Sequence, residues 1–283
     1  MKNEKYIDWH THTVYSDGLD SPDTVVRNSK LEGVESLAIT DHDILAGYWE
    51  ALPEAKKWHI ELVPGVEVST SVYHILGLGV DPNNAGFNQF LEHVQGLQAK
   101  VCEQRMEKLQ AADYPITMEK LRTAFPKSRL GKYNVYLAMM QDEACVDMMQ
   151  CAYPDLGPKE TFRALFGTKG IAGKIENKHF ARAREAIDQI HKAGGIAIVA
   201  HPFKQAATPE ALDSLLKHGL DGLEIQPNYG KDNNPFLEYA KTKQLLVTYG
   251  SDHHGSMDGR PLLRRGENLL DTEAFFARKE MYA

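Results

Sequence analysis

Short apolar runs recur along this chain, and most of them end on a histidine or an acid. Residues 36–40 lead into Asp41, His42 and Asp43, and residues 62–70 carry Glu67. Residues 196–200 lead into His201, and residues 245–249 lead into Ser251, Asp252, His253 and His254. Each run has the length of a buried strand rather than of a helix. Helix-like stretches lie between them. Ser21 and Pro22 give a cap-then-proline start to a helix that stops near Gly33, and residues 46–58 read as a second. A helix over about 179–193 stops at Gly194 and Gly195, and Thr208 with Pro209 repeats the start signal for a helix ending at Gly219. Residues 6–12, 73–80 and 222–226 complete the strands, with almost nothing between the runs 62–70 and 73–80. Buried strands alternating with helices predict parallel pairing under an outer layer of helices, which an α/β barrel and an open sheet both satisfy.

Residues from about 88 to 176 interrupt this grammar. Phe87, Phe90, Leu91, Val94, Leu97, Val101 and Leu109 follow helical spacing, a looser helical stretch covers 133–149, and no convincing strand is present. This predicts a helical insertion, residues 91–175, carried by an α/β body of residues 1–90 and 176–283. With 283 residues, 42% of them apolar, the chain is long enough to bury a sizeable core. No apolar run approaches the roughly 18–20 residues needed to cross a bilayer, and the first residues show no signal-like apolar stretch. Cys102, Cys145 and Cys151 are odd in number and lack CxxC spacing, so they read as free thiols in a reducing cytoplasm. A net charge of −7 weighs against a general nucleic-acid coat. No membrane association and no obligate protein partner are expected.

The chemistry-bearing residues sit at the strand ends. On a strand, His10 and His12 point to one face, roughly 6.5–7 Å apart along the chain, and can chelate one cation. Asp17 comes next, in a glycine turn, where its carboxylate can swing back over the strand end. Glu67 lies in an apolar stretch, where a bare carboxylate is costly to bury unless paired with a Lys or Arg or bound to metal. His74 opens the next strand. Strand ends on one face of a sheet or barrel are where active sites assemble. Mixed imidazole and carboxylate donors suit manganese, iron or zinc rather than magnesium or calcium. Two such cations about 3.5–4 Å apart can clamp the attacking and departing oxygens of an in-line phosphoryl displacement, with a bridging hydroxide as nucleophile. No Ser-His-Asp or Cys-His arrangement of comparable quality is present, so no catalytic protein nucleophile is expected.

The strings HTHTVYSDG (10–18), TDHD (40–43), the lone Glu67, His74 before ILGLG, AHP (200–202) and SDHH (251–254) resemble the motifs of the PHP (polymerase and histidinol phosphatase) family. The resemblance implies a distorted (β/α)7 barrel holding two or three divalent metal ions. By position, His10, His12, Glu67 and Asp252 resemble the ligands of one metal. Glu67 would bridge to a second, bound also by His74 and His201, and Asp17, His42 and His254 would hold a third. Asp43 either supports His42 from behind or serves a local turn. A short body with a helical insert resembles the bacterial subgroup that removes the 3′-phosphate from nucleoside 3′,5′-bisphosphates and degrades short RNA from its 5′ end. The implied activity is metal-dependent phosphoesterase action on nucleotides or short oligonucleotides, with the insertion as a substrate cap. The alternatives are a small-molecule phosphatase of the histidinol-phosphate type and a non-catalytic metal-stabilised module. Substrate cations would come from Arg105 (alternatively on a solvated helix face), from Arg129 and Lys132 in the basic patch 127–132, and from Lys204 (alternatively a solvated surface lysine), where similar proteins often carry Arg. Where those proteins read Ser-Arg-Pro-His, this chain has Ser128, Arg129, Leu130, Gly131, Lys132.

Overall fold

The computed structural model describes residues 4–173, 175, 180–203, 208–227, 234–255, 261–264 and 268–282. They form two compact units, Met1–Val94 with Ala181–Ala283, and Gln95–Phe180.

The first unit is a nearly closed barrel with helices around it. Its strands are β1 (Glu4–Thr11), β2 (Ser36–Ile39), β3 (Glu61–Val68), β4 (Ile75–Leu78), β5 (Ile196–Val199), β6 (Gly222–Ile225), β7 (Leu246–Tyr249) and β8 (Leu269–Asp271), in the order β7-β6-β5-β4-β3-β2-β1-β8. Residues past β7 return to β1 and draw the barrel shut. Asp252 N donates to His10 O at 2.9 Å and His12 N to His253 O at 2.8 Å. The carboxylate of Asp8 accepts from Ser251 N and Leu263 N on the same seam.

Alternation along the strands sorts side chains into two layers. Ile7, Trp9, Ala38, Val63, Leu76, Leu78, Ile196 and Ile198 join one apolar cluster with Phe275. Their strand neighbours Val66, Val68, Ile75, Ala197, Val199, Leu223 and Ile225 pack instead against helices, including α8 (Ala183–Lys192), whose Ala186, Ile187 and Ile190 are buried. Leu37 and Ile39 pack with Val25, Val26, Ala51 and Ala55 of α1 (Pro22–Leu31) and α2 (Ala46–Trp58). Each such fully buried aliphatic contributes about 1.5–3 kcal/mol relative to exposure.

The pairing is mixed rather than all parallel, which corrects the expectation. β4 runs antiparallel to both β3 and β5, and β8 runs antiparallel to β1. The reason is the connection of residues 69–74, which is too short for the crossover that a parallel neighbour requires. Strand β8, short and half-exposed, is not among the expected strands. The expected helix over about 179–193 begins at Ala183, and residue 179 lies outside the described residues. Thr208 caps as expected, its Oγ1 accepting from Ala211 N, but the cap opens only a single 3-10 turn (Pro209–Leu212) and the four-residue helix α9 (Asp213–Leu216).

At the start of β5 and β6 a buried carboxylate ties several elements together. Asp221 accepts from Ala197 N and His191 Nε2 through Oδ2 and from Tyr282 OH through Oδ1. Arg278 Nη1 lies 3.5 Å from the same Oδ1, and the rings of His191 and Tyr282 stack at 3.9 Å.

The second unit is helical. It holds the later turns of α3 (Ala85–Gln110) together with α4 (Met118–Ala124), α5 (Lys132–Met140), α6 (Glu143–Ala152) and α7 (Pro158–Phe166). Thr117 and Asp142 cap α4 and α6 through their side chains. Cys102, Leu109, Leu121, Val135, Met139, Cys145, Leu165 and Phe166 form its core. Among the described residues no helix is long and apolar enough to cross a membrane.

Candidate metal centre

Seven chain segments meet at one rim of the barrel. The parallel strands bring their C-terminal ends there, and reversed β4 brings its N-terminal end. His10 and His12 come from β1 and the residue after it, Asp17 from the following turn, His42 from beyond β2, and Glu67 from β3. His74 immediately precedes β4, His201 follows β5, and Asp252 and His254 follow β7. In β1 the pairing register with β2 shifts between Asp8 and Thr11, where the chain passes from apolar Ile7 and Trp9 to the two histidines. Glu67 keeps the strand parity of Val63, which faces the cluster with Trp9.

The backbone is strained where these side chains are delivered. Asp43, His201 and Asp252 have φ of 58°, 29° and 54°, a region that non-glycine residues enter at a cost of about 1–3 kcal/mol each. Hydrogen bonds hold them in place. Asp43 Oδ1 accepts the Ser69 amide at 2.7 Å, tying the loop after β2 to the end of β3. The turn carrying Asp17 is held by buried Asp41, which accepts from Thr13 N, Thr13 Oγ1 and Ser16 Oγ at 2.6–2.7 Å. Gly18 permits that turn, since a Cβ there would lie 2.5 Å from the His12 carbonyl carbon.

Glu67 sits at the middle, almost fully buried. Its Oε1 is 2.9 Å from His74 Nδ1 and 2.8 Å from His201 Nε2. Its Oε2 is 3.2 Å from His10 Nε2, 3.1 Å from His12 Nε2 and 3.2 Å from His42 Nδ1. Asp252 Oδ1 lies 3.5 Å from His10 Nε2 and 3.3 Å from His12 Nε2. On the outer side, Asp17 Oδ1 has His254 Nε2 at 3.2 Å, His12 Nδ1 at 3.7 Å and His42 Nε2 at 3.9 Å. The structure thus brings all nine sequence-predicted ligands into one continuous cluster.

Three sets of donor atoms lie within 4.8 Å of one another: His12, Asp17, His42 and His254; His10, His12, Glu67 and Asp252; and His42, Glu67 and His74. Burial opposes the charge on Glu67 and Asp17, but the surrounding imidazoles hold both carboxyls well below their usual range. Burial likewise pulls the His10 imidazole down, and Glu224 and Glu67 outweigh it, raising it to about 10.

The donor orientations fit cations. His254 Nδ1 must donate to Asp252 O at 2.8 Å, so a neutral ring turns its Nε2 lone pair toward Asp17 Oδ1. His10 and His12 set their Nε2 atoms 3.0 Å apart. Acceptors facing acceptors repel unless a proton or a cation lies among them, and mixed N/O donors of this kind suit transition metals.

Arg105 and Arg129 lie in the helical unit. Arg105 is half-buried, and its Nε is inaccessible to solvent and without a hydrogen-bond partner. Burial first, and the positive charge of Arg129 second, bring its guanidinium down to about 10. Lys132 is exposed at the start of α5, with Nζ 5.9 Å over the Phe162 ring. Lys204 lies outside the described residues.

Sequence reasoning missed three buried acids that serve the rim: Asp8, Asp41 and Glu224. Glu224 is the most intimate, with Oε1 2.8 Å from His10 Nδ1 and Oε2 accepting His201 N at 2.7 Å. The signal was available, because it lies in the apolar run 222–226 just as Glu67 lies in 62–70.

Comparison with known proteins agrees with this geometry. A family model for the PHP domain matches residues 8–197. A 5′-3′ exoribonuclease of Haemophilus influenzae is 30% identical over 264 residues, covering 88% of this chain and 90% of that protein. A phosphoribosyl 1,2-cyclic phosphate 1,2-diphosphodiesterase of Eggerthella lenta is 28% identical, covering 90% and 96%. A 3′,5′-nucleoside bisphosphate phosphatase of Chromobacterium violaceum is 26% identical, covering 89% and 88%. Among solved structures, a Bifidobacterium adolescentis protein assigned as a metal-dependent phosphoesterase superposes with a TM-score of 0.75 at 26% identity, covering 98% of this chain and 96% of its own. With the family model spanning most of the chain and the fold shared end to end, this protein belongs to the PHP domain family.

Proposed function

We propose that the chain is a metal-dependent phosphoesterase acting on nucleotides or short oligonucleotides, of the 3′,5′-nucleoside bisphosphate phosphatase or 5′-to-3′ exonuclease type. The observation that carries the reading is Glu67. One of its oxygens faces His74 and His201 and the other faces His10 and His12, the posture of a carboxylate shared by two cations. Two or three ions of manganese, iron or zinc bound here would supply Lewis acidity and an activated water. His10, His12, Glu67 and Asp252 would hold one, Glu67, His74 and His201 a second, and Asp17, His42 and His254 a third.

The protein's own contribution is to fix these donors on strand ends and to bind the ester. In the helical insertion, half-buried Arg105 with Arg129 near it offers two guanidinium groups for a second phosphate, with Lys132 as a further cation; Lys204 would serve the phosphate being cleaved. Free cysteines, two of them buried, fit a cytoplasmic setting.

A hydrolysis screen with added manganese tests this. It compares adenosine 3′,5′-bisphosphate, 5′-phosphorylated oligoribonucleotides, a ribose cyclic phosphate and histidinol phosphate. Turnover of either of the first two at least tenfold above the others is expected. Preference for histidinol phosphate, or no turnover by a metal-loaded protein, refutes the assignment.

A further inference from the structure

We infer that Glu224 is a positioning residue that decides which nitrogen His10 turns toward the cations and clamps His201 to the same carboxylate, coupling two parts of the centre. The inference rests on the reading of His10 and His201 as ligands. Glu224 lies on β6 and its side chain is fully buried. Among the described residues no Lys or Arg reaches it, so its charge serves no ordinary ion pair. Each oxygen has one task. Oε1 faces His10 Nδ1 at 2.8 Å, and Oε2 accepts the His201 amide at 2.7 Å.

A carboxylate only accepts. His10 must therefore carry a proton on Nδ1, and Nε2, 3.2 Å from Glu67 Oε2 and 3.5 Å from Asp252 Oδ1, is the nitrogen that a cation would take. The second oxygen acts on backbone. It holds the His201 amide in the residue whose φ is 29°, and that residue's Nε2 reaches Glu67 Oε1 at 2.8 Å. One side chain thus sets a tautomer on β1 and a strained backbone after β5. Gly250 leaves room for it, since a Cβ there would lie 2.1 Å from Glu224 Oε1 and 2.3 Å from His10 Cβ.

Glu224→Gln separates this role from simple packing, because the amide has the same shape but only one accepting oxygen. With that oxygen on the His201 amide, the NH2 group faces His10 Nδ1, which must then accept, and the ring proton moves to Nε2 where the metal would bind. Outer carboxylates that orient a ligand histidine typically change metal affinity by roughly 10–100-fold.

The test uses the full chain stripped of metal. Calorimetric titration with Mn²⁺ and Co²⁺ reports affinity, and thermal melting of the metal-free protein reports folding. E224Q is expected to bind the tightest metal roughly 10–100-fold more weakly than wild type while still melting cooperatively as a folded protein. Glu224→Asp keeps the charge and should bind more tightly than E224Q. Equal affinity of E224Q and wild type, or E224D no better than E224Q, overturns the role of Glu224 alone. A wild type that takes up neither ion overturns it together with the ligand reading.

Discussion

Replacing Asp221 with alanine tests whether the two ends of the barrel do separate jobs. Asp221 and His191 resemble a catalytic acid–imidazole pair, yet they sit where β5 and β6 begin, at the rim opposite the candidate metal centre. Residues at that end of a barrel normally serve stability. The carboxylate is 1% exposed and accepts from Ala197 N, His191 and Tyr282. Its removal leaves the buried Ala197 amide without an acceptor, at about 1–3 kcal/mol. His191 and Tyr282 are partly exposed and can turn to water, so their losses add about 1 kcal/mol together. The total is about 2–4 kcal/mol. For a chain of this size each kcal/mol moves Tm by about 2–4 °C, so a fall of roughly 4–16 °C is expected in calorimetry. Manganese content per chain, measured at 25 °C, should equal that of wild type. A Tm within 2 °C of wild type would refute the energetic argument. Lost metal at an unchanged Tm would show that the network reaches the other rim.

The same geometry sets three further outcomes. Asp17→Ala should lower bound metal by about one equivalent and abolish hydrolysis while leaving the circular dichroism spectrum intact; full activity would remove Asp17, His42 and His254 from the chemistry. Arg105→Met relieves a desolvated guanidinium whose Nε has no partner, and should stabilise the protein by about 1 kcal/mol. The same variant should raise KM for a bisphosphate more than for a monophosphate, and equal effects on both would deny it the second phosphate. Chelation should lower the melting temperature, because an ion bound only to the native state at a concentration 100 times its Kd contributes about 2.7 kcal/mol; no change would mean that the cluster is stable without one.

Most of the barrel is legible in the sequence because its strands are short, apolar and punctuated by caps and glycines. The direction of β4 is not. Periodicity reports which residues are buried and carries no information about strand polarity; only the brevity of residues 69–74 does. Strand β8 escapes because Leu269 and Leu270 are half in solvent and make no apolar run. Most of the nine rim residues are readable because they follow, open or interrupt an apolar run, and Asp17 reads through the glycine turn that follows His12. Glu224 obeys the rule applied to Glu67, a charge where burial forbids one, but it belongs to no familiar string. Asp41 reads only as part of TDHD, and its grip on Thr13 and Ser16 is a long-range contact that no local pattern encodes. The environment of Arg105 is equally out of reach, since helical spacing alone does not say that Cys102 and Arg129 will crowd it.

The reversal of β4 divides the rim into a part that is near in sequence and a part that is far. Glu67 and His74 flank the turn of a single hairpin, and His201 follows the strand hydrogen-bonded beside it. The partnership of His10 with Asp252 depends instead on a seam between the chain's two extremities, where Ser251 donates across 243 positions to Asp8. Fraying from either terminus opens that seam while the hairpin stays zipped. A cation shared by Glu67 and His74 would therefore keep those two donors longest as the molecule comes apart.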